Sequence, residues 1–257
     1  MKTLRSLRDR LSTRQALLGF VQMHPNLTMS EIAGICGYDF ILLDGEHGVF
    51  SEGDYLHTLQ VLASTDALAL IRLAKHDLPA VGRYLDMGAD GIVVPNVSTA
   101  EQARALARAM LYPPHGTRGL ALDRVTRYGL DLDAYLSAPR GNACLIVIIE
   151  SALGVANAED ILAVDGVDGA IIGPFDLSAD LGCAGDFSQP AHIDAVKRIE
   201  RAASACGKIL GTAPHPGNPL EALVARGHRL LLLDGDITLV REAMSTQVTQ
   251  ARAALGR

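Results

Sequence analysis

Five residues of this 257-residue chain have side chains suited to acid–base or metal chemistry and fall where an apolar run ends. Asp44 closes FILLD and is followed three residues later by His47 in LLDGEHG; Arg72 ends ALALIR, Glu150 follows CLIVII, and Asp176 follows GAIIGP in GPFDLS. Singly, each has an ordinary reading as a turn cap, a loop histidine, a surface cation, a helix-capping carboxylate or an N-cap. As a set they have a chemistry. Two carboxylates, Glu150 and Asp176, make a hard-oxygen half-shell for Mg²⁺, Mn²⁺ or Co²⁺ and leave positions for water and a 2-keto acid. The Arg72 guanidinium can hold the oxygen of an enolate as its charge develops. Proton transfer requires a group that titrates near neutrality, and His47 oriented by Asp44 would supply one.

The elements that must bring these residues together are readable as eight short apolar runs about 30 residues apart, with helical segments between them. The runs are 17–22, 40–45, 67–73, 91–96, 144–150, 169–174, 208–213 and 229–235. Their apolarity is continuous rather than alternating, as in parallel strands covered on both faces. The spacing predicts helices at TMSEIAGI, DLPAVGRYLDMG, STAEQARALARAM and PAHIDAVKRIERAASACG, with Ser98 and Glu101 as a capping box and Gly88 and Gly207 as stops. An eight-fold strand–helix repeat in a chain of this length predicts a single (β/α)8 barrel spanning 1–257, an α/β fold whose active site lies at the C-terminal ends of the strands. An open doubly wound sheet is the nearest competitor, but no GxGxxG follows any predicted strand. The connection from 97 to 143 is long enough to be a lid or a subunit contact.

Composition excludes other classes. The net charge of −6, with no basic stretch interleaved with aromatics, argues against a nucleic-acid partner. No apolar run approaches the roughly 18 residues of a membrane span, and the basic N-terminus lacks a continuous apolar core, so a cytoplasmic protein without a membrane partner is expected. Cys36, Cys144, Cys183 and Cys206 are scattered and predict reduced thiols.

Several of these segments, LLDGEHGVF, the Arg of IRL, LDMGADGIVVPNVSTAEQA, YPPHGTRG, the Glu of VIIES and DGVDGAIIGPFDLSADLG, resemble in order and spacing the HpcH/HpaI aldolase family, over about residues 17–245. The resemblance implies a class II, metal-dependent pyruvate aldolase acting on 4-hydroxy-2-oxo acids such as 4-hydroxy-2-oxoheptanedioate. It implies Glu150 and Asp176 as metal ligands, Arg72 as oxyanion residue, His47 with Asp44 as the acid–base pair, and Asp86 as a residue reaching a neighbouring subunit's site. Two positions depart from the family pattern: Ile148 stands where Gln is common, and Phe175 stands where a small residue offers its backbone N–H to the substrate carboxylate.

The expected reaction is therefore reversible cleavage of a 4-hydroxy-2-oxo acid to pyruvate, or a related 2-keto acid, and an aldehyde. The alternative is a citrate-synthase-like condensation of oxaloacetate with acetyl-CoA, as in siderophore assembly. A catalytically silent keto-acid sensor on the same barrel is a third reading. His215 borders the expected site, Arg124 is a candidate for reaching an adjacent one, and Arg118 for locking its loop. His57, His76, His192 and His228 are expected to face solvent. The Ala, Val and Met stripe of helix eight, roughly 237–254, predicts a homo-oligomer, and the resemblance implies a trimer of dimers.

Overall fold

Parity along the strands decides which side chains meet. In the computed structural model, which describes residues 6–12, 15–137 and 143–256 without the side chains of 8, 11 and 12, eight parallel strands close in chain order into a barrel. They are β1 (Leu17–Gln22), β2 (Phe40–Asp44), β3 (Leu68–Arg72), β4 (Gly91–Val94), β5 (Cys144–Ile149), β6 (Gly169–Ile172), β7 (Ile209–Thr212) and β8 (Leu230–Leu232). Alternate residues divide into two cores. Phe40 and Leu42 of β2, Leu68 and Leu70 of β3, and Cys144, Ile146 and Ile148 of β5 fill the barrel. Ile41, Leu43, Ala69, Ile71, Leu145, Val147 and Ile149 pack outward against the helices. One further step of the inward parity gives Asp44 and Arg72, the last residues of β2 and β3, and Glu150, the first residue after β5. The (β/α)8 fold thus aims the expected chemistry at one mouth, as the apolar runs predict.

The helices start where side chains can cap them. Asn26 accepts from the Met29 N–H at 3.0 Å ahead of Leu27–Ile35, and Asp77 accepts from Ala80 N–H at 3.2 Å ahead of Leu78–Asp86. Gly88 and Gly207 follow helices with φ of 95° and 63°, a backbone region that suits glycine. The expected Ser98–Glu101 capping box is displaced by one residue: Thr99 caps Ala100–Ala109 and Gln102 completes the box. The reason is tertiary, because the Ser98 hydroxyl bonds Asn96 Oδ1 and Ser151 Oγ instead.

The long connection is pinned from within. Arg118, buried, donates to Asp86 Oδ1 at 2.5 Å and to the Tyr135 hydroxyl at 2.9 Å, with its guanidinium 4.8 Å from the centre of the Tyr112 ring. Leu120, Leu122 and Leu130 on the same connection are exposed; its residues 138–142 lie outside the described ones. Helix Asp236–Ala254 exposes Ile237, Met244 and Val248, in keeping with the predicted stripe. Among the described residues no helix is long and apolar enough to cross a membrane.

Candidate active site

A cavity of about 470 Å³ opens at the C-terminal ends of the strands. Leu42, Ile148 and Ile171 line its apolar part, and Asp44, His47, Arg72, Glu150 and Asp176 all reach it. Three of the expected site residues, Asp44, Arg72 and Glu150, come from strand ends, His47 from the loop after β2, and Asp176 from the first turn of Pro174–Asp180. Phe175 lines the cavity too, with its ring largely exposed.

Asp44 and Arg72 stand opposite each other in the register of β2 with β3. Arg72 Nε donates to Asp44 Oδ1 at 2.8 Å and Nη2 to Oδ2 at 2.5 Å, a two-point fork. The backbone N–H groups of Glu46 and His47 also donate to Asp44 Oδ1. Burial pushes the Asp44 carboxyl up, but the Arg72 fork and the two amides outweigh it and hold it below the ordinary carboxylate range. The fork leaves the second N–H of Arg72 Nη2 and those of Nη1 for other partners. Glu46 Oε2 faces Nη1 at 3.3 Å.

This arrangement corrects the expected His47–Asp44 pair. The Asp44 carboxylate is committed to Arg72, and the His47 imidazole, half exposed, has Glu46 Oε2 beside it at 3.9 Å. A register contact between adjacent strands has won over a contact three residues along the loop. Glu46 is the site residue that the sequence reading passed over. No strand pattern marked it: the inward series of β2 ends at Asp44, and Glu46 is placed by the turn in which its N–H and that of His47 donate back to Asp44 Oδ1.

Glu150 is buried, and its Oε1 accepts from the Asn96 N–H at 2.7 Å. Asn96 takes φ of 48°, a second feature the sequence does not announce. Burial raises the Glu150 carboxyl; the Asn96 bond and Arg72 pull it down, Glu46 and Asp176 push it up, and the outcome is about 7. Gly173 makes room for this side chain: a Cβ there would overlap Glu150 Oε2 and stand 2.9 Å from Glu150 Cβ.

A barrel mouth that combines an aspartate-locked arginine with facing carboxylates narrows the choice of family, and comparison decides it. The model of the HpcH/HpaI aldolase/citrate lyase family matches residues 19–243. The chain belongs to this family. It is 40% identical over 226 residues to a hydroxypyruvate/pyruvate aldolase of Delftia acidovorans, covering 87% of this chain and 84% of that one. It is 32% identical over 248 residues to the 2-keto-3-deoxy-L-rhamnonate aldolase of Escherichia coli K12, covering 96% and 92%. An HpcH/HpaI aldolase from Desulfitobacterium hafniense has a crystal structure that superposes with a TM-score of 0.90 at 28% identity, covering 96% of each chain. With this family membership the enzyme is a carbon–carbon lyase.

Glu150 and Asp176 both line the cavity and would offer oxygen donors to the divalent cation expected in an HpcH/HpaI aldolase. Glu150 is a buried carboxyl raised by burial and by two like-charged neighbours, and a cation would relieve the repulsion. Among the described residues no three His, Cys, Asp or Glu side chains converge as a complete metal cage. Two carboxylates would leave the other positions to water and substrate oxygens.

Other expected residues lie elsewhere in this HpcH/HpaI barrel. His215 does not line the cavity; its ring packs on Phe187 with centroids 4.5 Å apart, and Phe187 meets Phe175 edge-on at 5.2 Å. Asp86 closes Leu78–Asp86 and is bound to Arg118, away from this chain's own cavity. Arg124 serves structure, donating to the carbonyls of Met87 and Leu59. His192 and His228 are buried rather than solvent-facing, His228 with Nε2 3.0 Å from Glu200 Oε1. His76 is tied to the Pro95 carbonyl. His192 lies on the helix Pro190–Ala205 while His76 and His228 lie in connections, and in each case partners outside the residue's own element set the surroundings.

Proposed function

We propose that this lyase is a divalent-metal-dependent aldolase that reversibly cleaves a 4-hydroxy-2-oxo acid to a pyruvate-class 2-keto acid and an aldehyde. The observation that carries the reading is the Arg72 fork, which fixes a guanidinium at the edge of a largely apolar cavity that the buried Glu150 and the exposed Asp176 also line. The relative named for hydroxypyruvate and pyruvate supports a short 2-keto acid as donor, and the one named for 2-keto-3-deoxy-L-rhamnonate supports a longer 2-keto acid as the molecule cleaved.

Glu150 and Asp176 would hold the cation, whose chemistry is Lewis-acid polarisation of the donor's carbonyl. Arg72, held rigid by Asp44, donates its free N–H groups to the oxygen that becomes negative as the enolate forms. His47, at the cavity's open side with Glu46 beside it, moves the proton at the aldehyde-derived hydroxyl. The Phe175 backbone N–H, in the first turn of Pro174–Asp180, would meet the donor carboxylate. Asp86 and the exposed face of Asp236–Ala254 are proposed to meet neighbouring copies in a homo-oligomer, a trimer of dimers.

The test is aldol addition of pyruvate to a short aldehyde with Mg²⁺, Mn²⁺ or Co²⁺, with and without chelator. New carbon–carbon bond formation that chelator abolishes supports the reading; unchanged turnover in excess chelator overturns its metal part. Free thiol released from acetyl-CoA in the presence of oxaloacetate, with no aldol product, would mark the condensation instead.

A further inference from the structure

The cavity is chemically one-sided. Its ionisable groups come from the ends of β2, β3 and β5 and from the turn after β6. The remaining arc, formed by β7, β8 and β1, presents Ala213, Leu232, Leu233, Val21 and Met23. None of these side chains can donate a hydrogen bond, and only the Met23 thioether can accept one, weakly. Phe175 closes this arc as an aromatic shelf: its ring is 67% exposed, lines the cavity and is braced edge-on by Phe187 at 81° between planes. Phe187 is in turn held against His215 and the buried His192.

An exposed phenylalanine is common on protein surfaces, but one that is braced by a second ring and faces a pocket is a fixed apolar wall. The donor's keto and carboxylate oxygens belong with the charged arc, so the second substrate must extend along the other. A hydroxylated chain laid there would give up water partners and find no side-chain partner along the arc, whereas an alkyl or aryl chain gains by leaving water.

We infer that Phe175, with the β7–β8–β1 arc, is the specificity surface for the acceptor, and that the acceptor class is an aldehyde bearing an apolar aliphatic or aromatic substituent rather than a polyhydroxylated one. This rests on the aldolase reading above. It assigns Phe175 a role through its ring, separate from that of its backbone N–H.

The experiment has an acceptor-free arm and an acceptor arm. Exchange of the pyruvate methyl protons with deuterated water reports enolisation without any aldehyde. With pyruvate saturating, kcat/KM is then measured for pentanal and benzaldehyde against glyceraldehyde and erythrose. Wild type is expected to favour the apolar pair by roughly tenfold or more, the scale of discrimination that an apolar pocket supports. Phe175→Ser and, independently, Leu233→Asn should each compress that ratio several-fold, with the loss concentrated in the apolar acceptors. Exchange with no apolar preference in wild type overturns the acceptor assignment alone. A preference that survives both substitutions overturns the assignment to this arc. Absence of both exchange and aldol product overturns the aldolase reading, and the acceptor assignment with it.

Discussion

Gly173→Ala adds one methyl group where β6 runs out beside the Glu150 side chain. The new Cβ would overlap Glu150 Oε2, which can rotate away, and would stand 2.9 Å from Glu150 Cβ, which the β5 backbone fixes. The backbone at Gly173, φ −86° and ψ 93°, is open to alanine without strain, so two terms compete. Reduced freedom of the unfolded chain favours alanine by about 0.4–1 kcal/mol. Overpacking a filled site costs about 1–3 kcal/mol. Overpacking wins, and the net expectation is a loss of about 1–2 kcal/mol. Displacing Glu150 by about 1 Å should also lower aldol turnover by about 10²-fold. The assay is urea unfolding at fixed protein concentration, alongside the aldol rate. In a Glu150→Gly background both clashing atoms are gone, and the same alanine should become neutral or mildly stabilising. The double-mutant cycle should therefore show a coupling of about 1–3 kcal/mol. An equal cost of Gly173→Ala in both backgrounds would refute the packing argument.

Four other outcomes are expected. Because the Glu150 carboxyl is raised to about 7, the folded metal-free protein binds its proton more tightly than the unfolded chain does; stability from this group is present below pH about 4.5 and is lost as pH rises through 7, by at most about 3 kcal/mol. Glu150→Gln, which keeps an acceptor for the Asn96 N–H, should flatten that slope in chelator-treated unfolding curves at pH 5 and pH 8, and an unchanged slope would assign the effect elsewhere. Arg72→Lys keeps the charge but not the fork to Asp44, and should cut oxaloacetate decarboxylation by about 10²–10³-fold; near wild-type rates would leave Arg72 with a structural role only. His47→Ala should slow aldol addition by about 10²–10⁴-fold and decarboxylation, which moves no proton at an aldehyde oxygen, far less; equal losses would make His47 a binding residue. Light scattering at micromolar concentration should give a multiple of the 27.2 kDa chain mass, and a monomer would contradict the role proposed for helix Asp236–Ala254.

The sequence by itself determined the barrel and the direction of its chemistry. Eight apolar runs in a strand–helix rhythm specify parallel strands, and a two-residue period carries Phe40 and Leu42 on to Asp44, Leu68 and Leu70 on to Arg72, and Ile146 and Ile148 on to Glu150. Both facts are local, so they survive reading one residue at a time. The tertiary structure decided the pairing. Strand register places Asp44 opposite Arg72, so the aspartate locks the arginine and Glu46 takes the place beside His47. Burial raised the Glu150 carboxyl, turned Ser98 from an N-cap into a link between Asn96 and Ser151, and hid His192 and His228. Register and burial depend on residues tens of positions apart meeting across the sheet or beneath a helix, and no local spacing encodes which neighbour will be there.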